Sequence, residues 1–389
     1  MNMNVRDILL SLIVTLLLTA CRQDVMVVEP MTADTGDEEL VQTDYTGMYV
    51  LNEGNMGSNK CTLDYLDLSD TIIHYQRNIY AERNPGEVKE LGDVGNDIQI
   101  YGSRLWLVIN CSNKVEVCRA SDAVKIGKIN IPNCRYVTFD GGYAYVSSYV
   151  GPVAVGSNAP RGMVYKVDTL TLQKVDSVVV GYQPEEMAVY RGKLYVANSG
   201  GYNVPDYDNT VSVVDLASMR VERQIEVAVN LHHLRLDRHG QLWVTSRGDY
   251  NNQLSNLYCL SPDAQGQMVL TGSMDAQVSD LCIVGDSLYF YGVGYNEKTK
   301  ENTRSYGIID VRRHQLVSTS LSDSQELQKM RMPYGIIVHP ANRDFYLMDA
   351  KNYVSSGELL HFHADGTFDY KVRTGDIPGH AAFLVKVKM

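Results

Sequence analysis

Two doublets raise the question of chemistry: Glu185-Glu186 and His232-His233. Paired carboxylates do acid–base work only if something raises one pKa, and no such partner can be identified near Glu185-Glu186 in the sequence. Adjacent residues at a strand start point to opposite sides, so at most one member of each doublet faces a common site. His361 and His363 in "LLHFHAD" share one face of a strand, but that strand falls third in its repeat, away from the central axis. Asp206 and Asp208 in "NVPDYDNT" form a conceivable Ca²⁺ pair that reads better as an acidic hairpin tip. The nine histidines are scattered, and no G-x-S-x-G, H-E-x-x-H, P-loop or G-x-G-x-x-G is present. The expectation is a binding protein with no catalytic residue and no metal site.

The elements that must position any site repeat through the chain. "KLYVANSG" (193–200) recurs as "GMYVLNEG", "RLWLVINCSN", "YAYVSSYVG", "QLWVTSRGDYN", "SLYFYGVGYN" and "DFYLMDAKNY". One aromatic position runs through all seven copies: Tyr49, Trp106, Tyr145, Tyr195, Trp243, Tyr289 and Tyr346, with gaps of 57, 39, 50, 48, 46 and 57. A period near 50 built from short strands predicts an all-β, seven-bladed β-propeller with four-stranded blades over 45–389. In 182–227 the four strands are expected at 186–190, 192–198, 209–216 and 220–227. Strand two is apolar on both faces, as a blade pressed between two others requires. The first copy starts at strand two, and "IPGHAAFLVKV" (377–387) supplies the missing innermost strand from the C-terminus.

In such blades the turn after strand two and the connection into the next strand one emerge on one face. The turns supply Asn52, Glu53, Asn110, Tyr149, Asn198, Tyr202, Arg247, Tyr250, Tyr295, Lys351 and Tyr353 as candidate ligand-binding residues. The connections add Asn96, Asp97, Arg135, Glu185, His233 and Tyr334. Asn is common in any turn, whereas Tyr adds rigid contact area with a polar tip, as in recognition surfaces.

Lys plus Arg number 35 and Asp plus Glu 46, a net charge of −11 that disfavours nucleic acid as a partner. An uncharged apolar run, Ile8 to Ala20, is too short to span a bilayer as a helix and suits a secretory signal over 1–20. It ends in Leu18-Thr19-Ala20-Cys21, which resembles a bacterial lipobox with Cys21 as the lipidation site; an ordinary signal with an incidental cysteine is the other reading. From Arg22 to Asp44 seven acids face one Arg without periodicity, which reads as a flexible tether over 21–44 with a reach of roughly 25 Å. Among the six other cysteines only Cys111 with Cys134 is a candidate disulfide.

"LYVANSG" followed by "NTVSVVDL" resembles the repeat of the YVTN or YncE-like seven-bladed propellers, over essentially 45–389. Together with the lipobox, the acidic tether and the opening "YVLNEGNMGSN", the chain resembles the BtuG-type surface lipoproteins of gut Bacteroidetes. That resemblance implies cobalamin as bound ligand, with no cofactor of the protein's own. It also implies a TonB-dependent outer-membrane transporter as partner, and a lipid anchor at the outer membrane, exposed at the cell surface. A siderophore-like molecule or a glycan in place of cobalamin is the alternative, and a propeller hydrolase or lyase is a third.

Overall fold

The computed structural model describes residues 31–37 and 44–385, apart from short breaks at 70–71, 88–89, 153–154, 157 and 297–300. The signal segment 1–20 and Cys21 lie outside the described residues.

Among the described residues there are seven sheets, each antiparallel, and outside blade one neighbouring strands run in sequence from the innermost to the outermost. In blade four these are Pro184–Tyr190, Lys193–Asn198, Thr210–Asp215 and Arg220–Glu226, within two residues of the boundaries expected from sequence. The innermost strand of blade one is the last in the chain, Pro378–Val385, paired antiparallel to Tyr45–Asn52 with Tyr49 opposite Ala382. The seven innermost strands touch in an unbroken circle, so the last strand closes the ring.

The repeat is dictated by how the core is divided. There are seven apolar clusters, one between each pair of neighbouring blades. Alternate residues of one strand therefore feed different cores: Leu105, Leu107 and Ile109 pack toward blade one, while Trp106 and Val108 pack toward blade three. This is why strand two tolerates no polar face. All seven repeated aromatics are buried, with Trp106 and Trp243 fully enclosed; truncating either to alanine costs roughly 3–5 kcal/mol in such surroundings. The outermost strand has only one covered face, and Arg220–Glu226 accordingly alternates exposed and covered residues.

Three features depart from the expectations. Within the acidic segment 21–44, Met31–Asp37 is a strand, antiparallel to Ile72–Arg77 as a fifth member of blade one. An open sheet edge offers unpaired backbone groups to any extended neighbour, whatever its composition. Cys111 and Cys134 are free thiols; Cys134 is buried and its Sγ lies 3.3 Å from the Lys114 carbonyl oxygen. Two one-turn helices, Ile79–Arg83 and Gln325–Lys329, lie in connections between blades. Among the described residues no helix is long and apolar enough to cross a membrane.

Candidate ligand-binding site

At the mouth of the central channel, on the face that carries the turns after strand two, lies a cavity of about 1120 Å³. Its floor comes from the first residues of the innermost strands. In six blades the second residue of that strand stands at one level of the ring: Asn96, Arg135, Glu185, His232, Tyr334 and Gly379. A side chain there meets its counterparts across the axis, because the strands converge. Gly379 leaves room where a Cβ would approach Glu53 Oε1 and the Tyr334 ring to 3.2 Å. The wall rises on the side of blades five to seven, from Tyr250, Asn251, Gln253 and Leu254 to Tyr353. Blade six contributes a tall hairpin, Ser287–Asn296 against Glu301–Asp310, whose Val293, Gly294 and Thr303 face the space.

The charged groups around the floor neutralise one another. Glu185 is fully buried and bridges Arg135 Nε at 3.1 Å and Arg247 Nη1 at 3.1 Å, while Tyr149 Oη donates to its Oε1. Burial alone would push the Glu185 carboxyl up, but the two guanidiniums overcome it and hold it below the usual range. Glu186 Oε2 accepts from the Leu234 amide at 3.1 Å and lies 3.0 Å from His233 Nδ1. Glu53 accepts from Tyr334 Oη at 3.1 Å and meets His380 Nε2 at 3.3 Å. His232 Nε2 and Tyr136 Oη share a 2.8 Å hydrogen bond; burial, then the Arg247 charge, pushes that imidazole well below its ordinary range, so it is neutral at pH 7. The upper wall is amide and hydroxyl, from Asn251, Gln253, Ser255, Gln277, Ser279 and Thr303. Such a surface exchanges hydrogen bonds with a polar ligand and carries little net charge.

The structure gathers eight of the candidate residues at the cavity: Glu53, Asn96, Arg135, His233, Arg247, Tyr250, Tyr334 and Tyr353. The others are spent elsewhere. Asn52 and Asn198 end strand two fully buried, their amides given to Thr62 and to Thr210 with Ser212. Asn110 gives Nδ2 to Asn133 Oδ1 at 2.7 Å and to the Cys134 carbonyl at 2.8 Å, tying blade two to blade three. Asp97 accepts the Val137 amide at 2.9 Å and does the same. Tyr149 is 5% exposed, its ring under the Arg135 guanidinium and edge-on to Tyr202. Tyr202 packs there as well, off the cavity lining, and Glu185 holds the network together from beneath. Lys351 Nζ turns to Glu358 at 2.9 Å. Tyr295 is not in a turn at all, since blade six prolongs its strands and pairs it with Asn302. Asp208 spends both oxygens on the Tyr182, Asn209 and Thr210 amides, so the Asp206/Asp208 loop is a self-bonded turn. Asn198→Ala is expected to lower stability by about 1–2 kcal/mol and to leave the cavity intact; a denaturant melt beside a ligand titration reads both.

Sequence reasoning missed Tyr136 and Tyr291 among the lining residues; the connections into the innermost strands also offer His232, Asp280 and His380, and all three line the cavity. A signal existed for His232: counting from the strand start, it aligns with Arg135 and Tyr334. The expectation that at most one imidazole of the doublet faces the site does not hold: both line the cavity, their ring centroids 3.8 Å apart, with His233 only 5% exposed.

With the ring and its mouth described, comparison with known proteins becomes informative. Residues 46–364 match the family described as a domain of unknown function, DUF5074. The chain belongs to that family. As a DUF5074 protein it is similar in structure to a Kuenenia stuttgartiensis hydrazine synthase, at 15% identity and TM-score 0.55 over 73% of this chain and 87% of that one. It is also similar to a quinonprotein alcohol dehydrogenase-like protein of Bacteroides thetaiotaomicron, at 12% identity and TM-score 0.54 over 88% and 79%. A Bacteroides fragilis protein named provisionally for 6-phosphogluconolactonase aligns at 10% identity and TM-score 0.56 over 88% and 99%. At these identities the likeness is one of fold alone. No curated protein matches the sequence.

Proposed function

We propose that this DUF5074 propeller is a lipid-anchored surface protein that captures a corrinoid of the cobalamin class at its channel mouth and passes it to a TonB-dependent outer-membrane transporter. The observation that carries the reading is the cavity of about 1120 Å³ with its lining. Its size exceeds what most drug-sized ligands need, since typical pockets span ~300–1,000 Å³. Amide and hydroxyl groups along the wall suit peripheral amides, and Tyr250 and Tyr353 offer flat faces to a broad ring. Ion pairs that close on themselves suit a ligand of low net charge.

Support for a role without chemistry of its own comes from the same groups: each carboxylate described at the floor is engaged by a cation, a hydroxyl, an imidazole or a backbone amide. Delivery is supported by exposed apolar side chains on the turns that surround the mouth, among them Met56, Val204, Leu254 and Val354. These would meet a partner approaching the loaded face.

Titration of the chain with cyanocobalamin by calorimetry is expected to give one site per chain and ligand recovered unchanged after long incubation. Absence of heat from folded protein would sink the corrinoid reading. Altered ligand would sink the reading without chemistry.

A further inference from the structure

At the opposite end of blade seven from the cavity, where the turns after strands one and three lie together, the structure brings Asp344, His361 and His363 into one cluster. One donor atom from each lies within 4.8 Å of the others. Asp344 Oδ2 is 3.5 Å from His361 Nε2 and 3.8 Å from His363 Nδ1. Donors bound to one ion at ~2.0–2.1 Å in a tetrahedron stand about 3.3–3.4 Å apart, so small side-chain rotations bring these atoms to coordination distance.

Two features distinguish this cluster from a chance meeting of polar groups. His361 is 2% exposed, and its Nδ1 lies 2.9 Å from Asp369 Oδ2. An ionised carboxylate only accepts, so Nδ1 donates its proton to Asp369, and the ring is held with Nε2 directed at Asp344. A carboxylate behind a histidine is the arrangement that orients metal-ligating imidazoles and raises their basicity. Asp344 is oriented in the same manner: the Ala364 amide donates to Oδ1 and Asn342 Nδ2 to Oδ2, both at 2.9 Å. His363 is 46% exposed, which leaves an entry path and open coordination positions for water.

We propose that Asp344, His361 and His363 form a binding site for a first-row divalent transition-metal ion, with Zn²⁺ the best match to two imidazoles and one carboxylate. Asp369 is a positioning residue, acting through His361. The ion links the turn before Phe345–Asp349 to the end of Ser356–Phe362 and the turn that follows it. This site is independent of the ligand cavity and of the function proposed for it.

The test takes the full chain without an affinity tag, stripped by a chelator and dialysed, and titrates it with Zn²⁺ by calorimetry. One saturable site per chain is expected. His363→Gln, at a half-exposed position that spares the fold, is expected to weaken binding at least 10-fold. Asp369→Asn is expected to weaken it about 10- to 100-fold, with unchanged circular dichroism in both. No saturable site in the unaltered chain, or undiminished affinity in either folded variant, overturns the proposal.

Discussion

Replacing Glu185 with alanine is expected to lower the melting temperature by roughly 10 °C. The carboxylate is fully buried and answers two guanidiniums and the Tyr149 hydroxyl. Its removal leaves Arg135 and Arg247 close together with no counter-charge, the situation in which breaking a buried pair costs about 3–5 kcal/mol. Domains of this size lose about 2–4 °C per kcal/mol. Glu185→Gln keeps the shape and one acceptor but loses the charge, so it should fall between the two. The pH dependence has a definite sign. The folded carboxyl is held below its ordinary 4.5, so its contribution is complete above that value and drains away as pH falls below it. Thermal melts from pH 7 to 3 should therefore converge for the native chain and the Gln variant on the acid side. Equal melting temperatures at pH 7, or parallel acid slopes, would contradict the role assigned to this group.

If the ligand is the corrinoid proposed above, Tyr250→Ala is expected to reduce affinity for it roughly 30- to 100-fold. The ring is 74% exposed at the lip of the cavity, so a ligand lying on it hides surface that water now covers. Covering half of ~150–250 Å² at ~25 cal/mol/Å² contributes about 2–3 kcal/mol. Asn251→Ala, which removes a neutral hydrogen bond worth about 1 kcal/mol, should cost about fivefold. Tyr353 is already 37% exposed only, because its ring meets Tyr334 edge-on, and its replacement should fall between. Tyr250→Phe should retain most of the affinity, since area rather than the hydroxyl does the work. By contrast, Tyr149→Ala should destabilise the fold through Glu185 without direct contact with ligand. Calorimetry on the five variants orders them, and a Tyr250→Ala protein that binds like its parent would place the ligand elsewhere on the rim.

The contrast between Tyr149 and Tyr250 marks the limit of reading a site from sequence. Both follow a strand two, both sit among turn residues, and both look exposed when the blades are considered singly. Tyr149 meets Glu185, 36 residues on in the next blade, and is buried by it. Tyr250 lies edge-on to Tyr207, with ring centroids 6.5 Å apart, and remains open. The same applies to Asn52, Asn110 and Asn198, whose amides hold strands and blades together; Asn96 lines the cavity, but it too is buried and gives Nδ2 to the Arg135 carbonyl at 2.7 Å. Tyr295 failed for a local reason: Gly292 and Gly294 do not stop the hairpin of blade six, which runs on to Asn296.

By itself the sequence determined the ring. A strand whose alternate residues are all apolar must feed two cores, seven such strands need seven interfaces, and the spare strand at the C-terminus has only blade one to complete. These are short-range patterns, carried within about 50 residues each. Only the tertiary structure decided which rim side chains are free to meet a ligand, because that depends on pairs such as Arg135 with Glu185 and Glu185 with Arg247, separated by 50 and 62 positions and lying in different blades. A charge in a turn is a candidate until its neighbour across the axis is known, and the sequence does not bring those neighbours together.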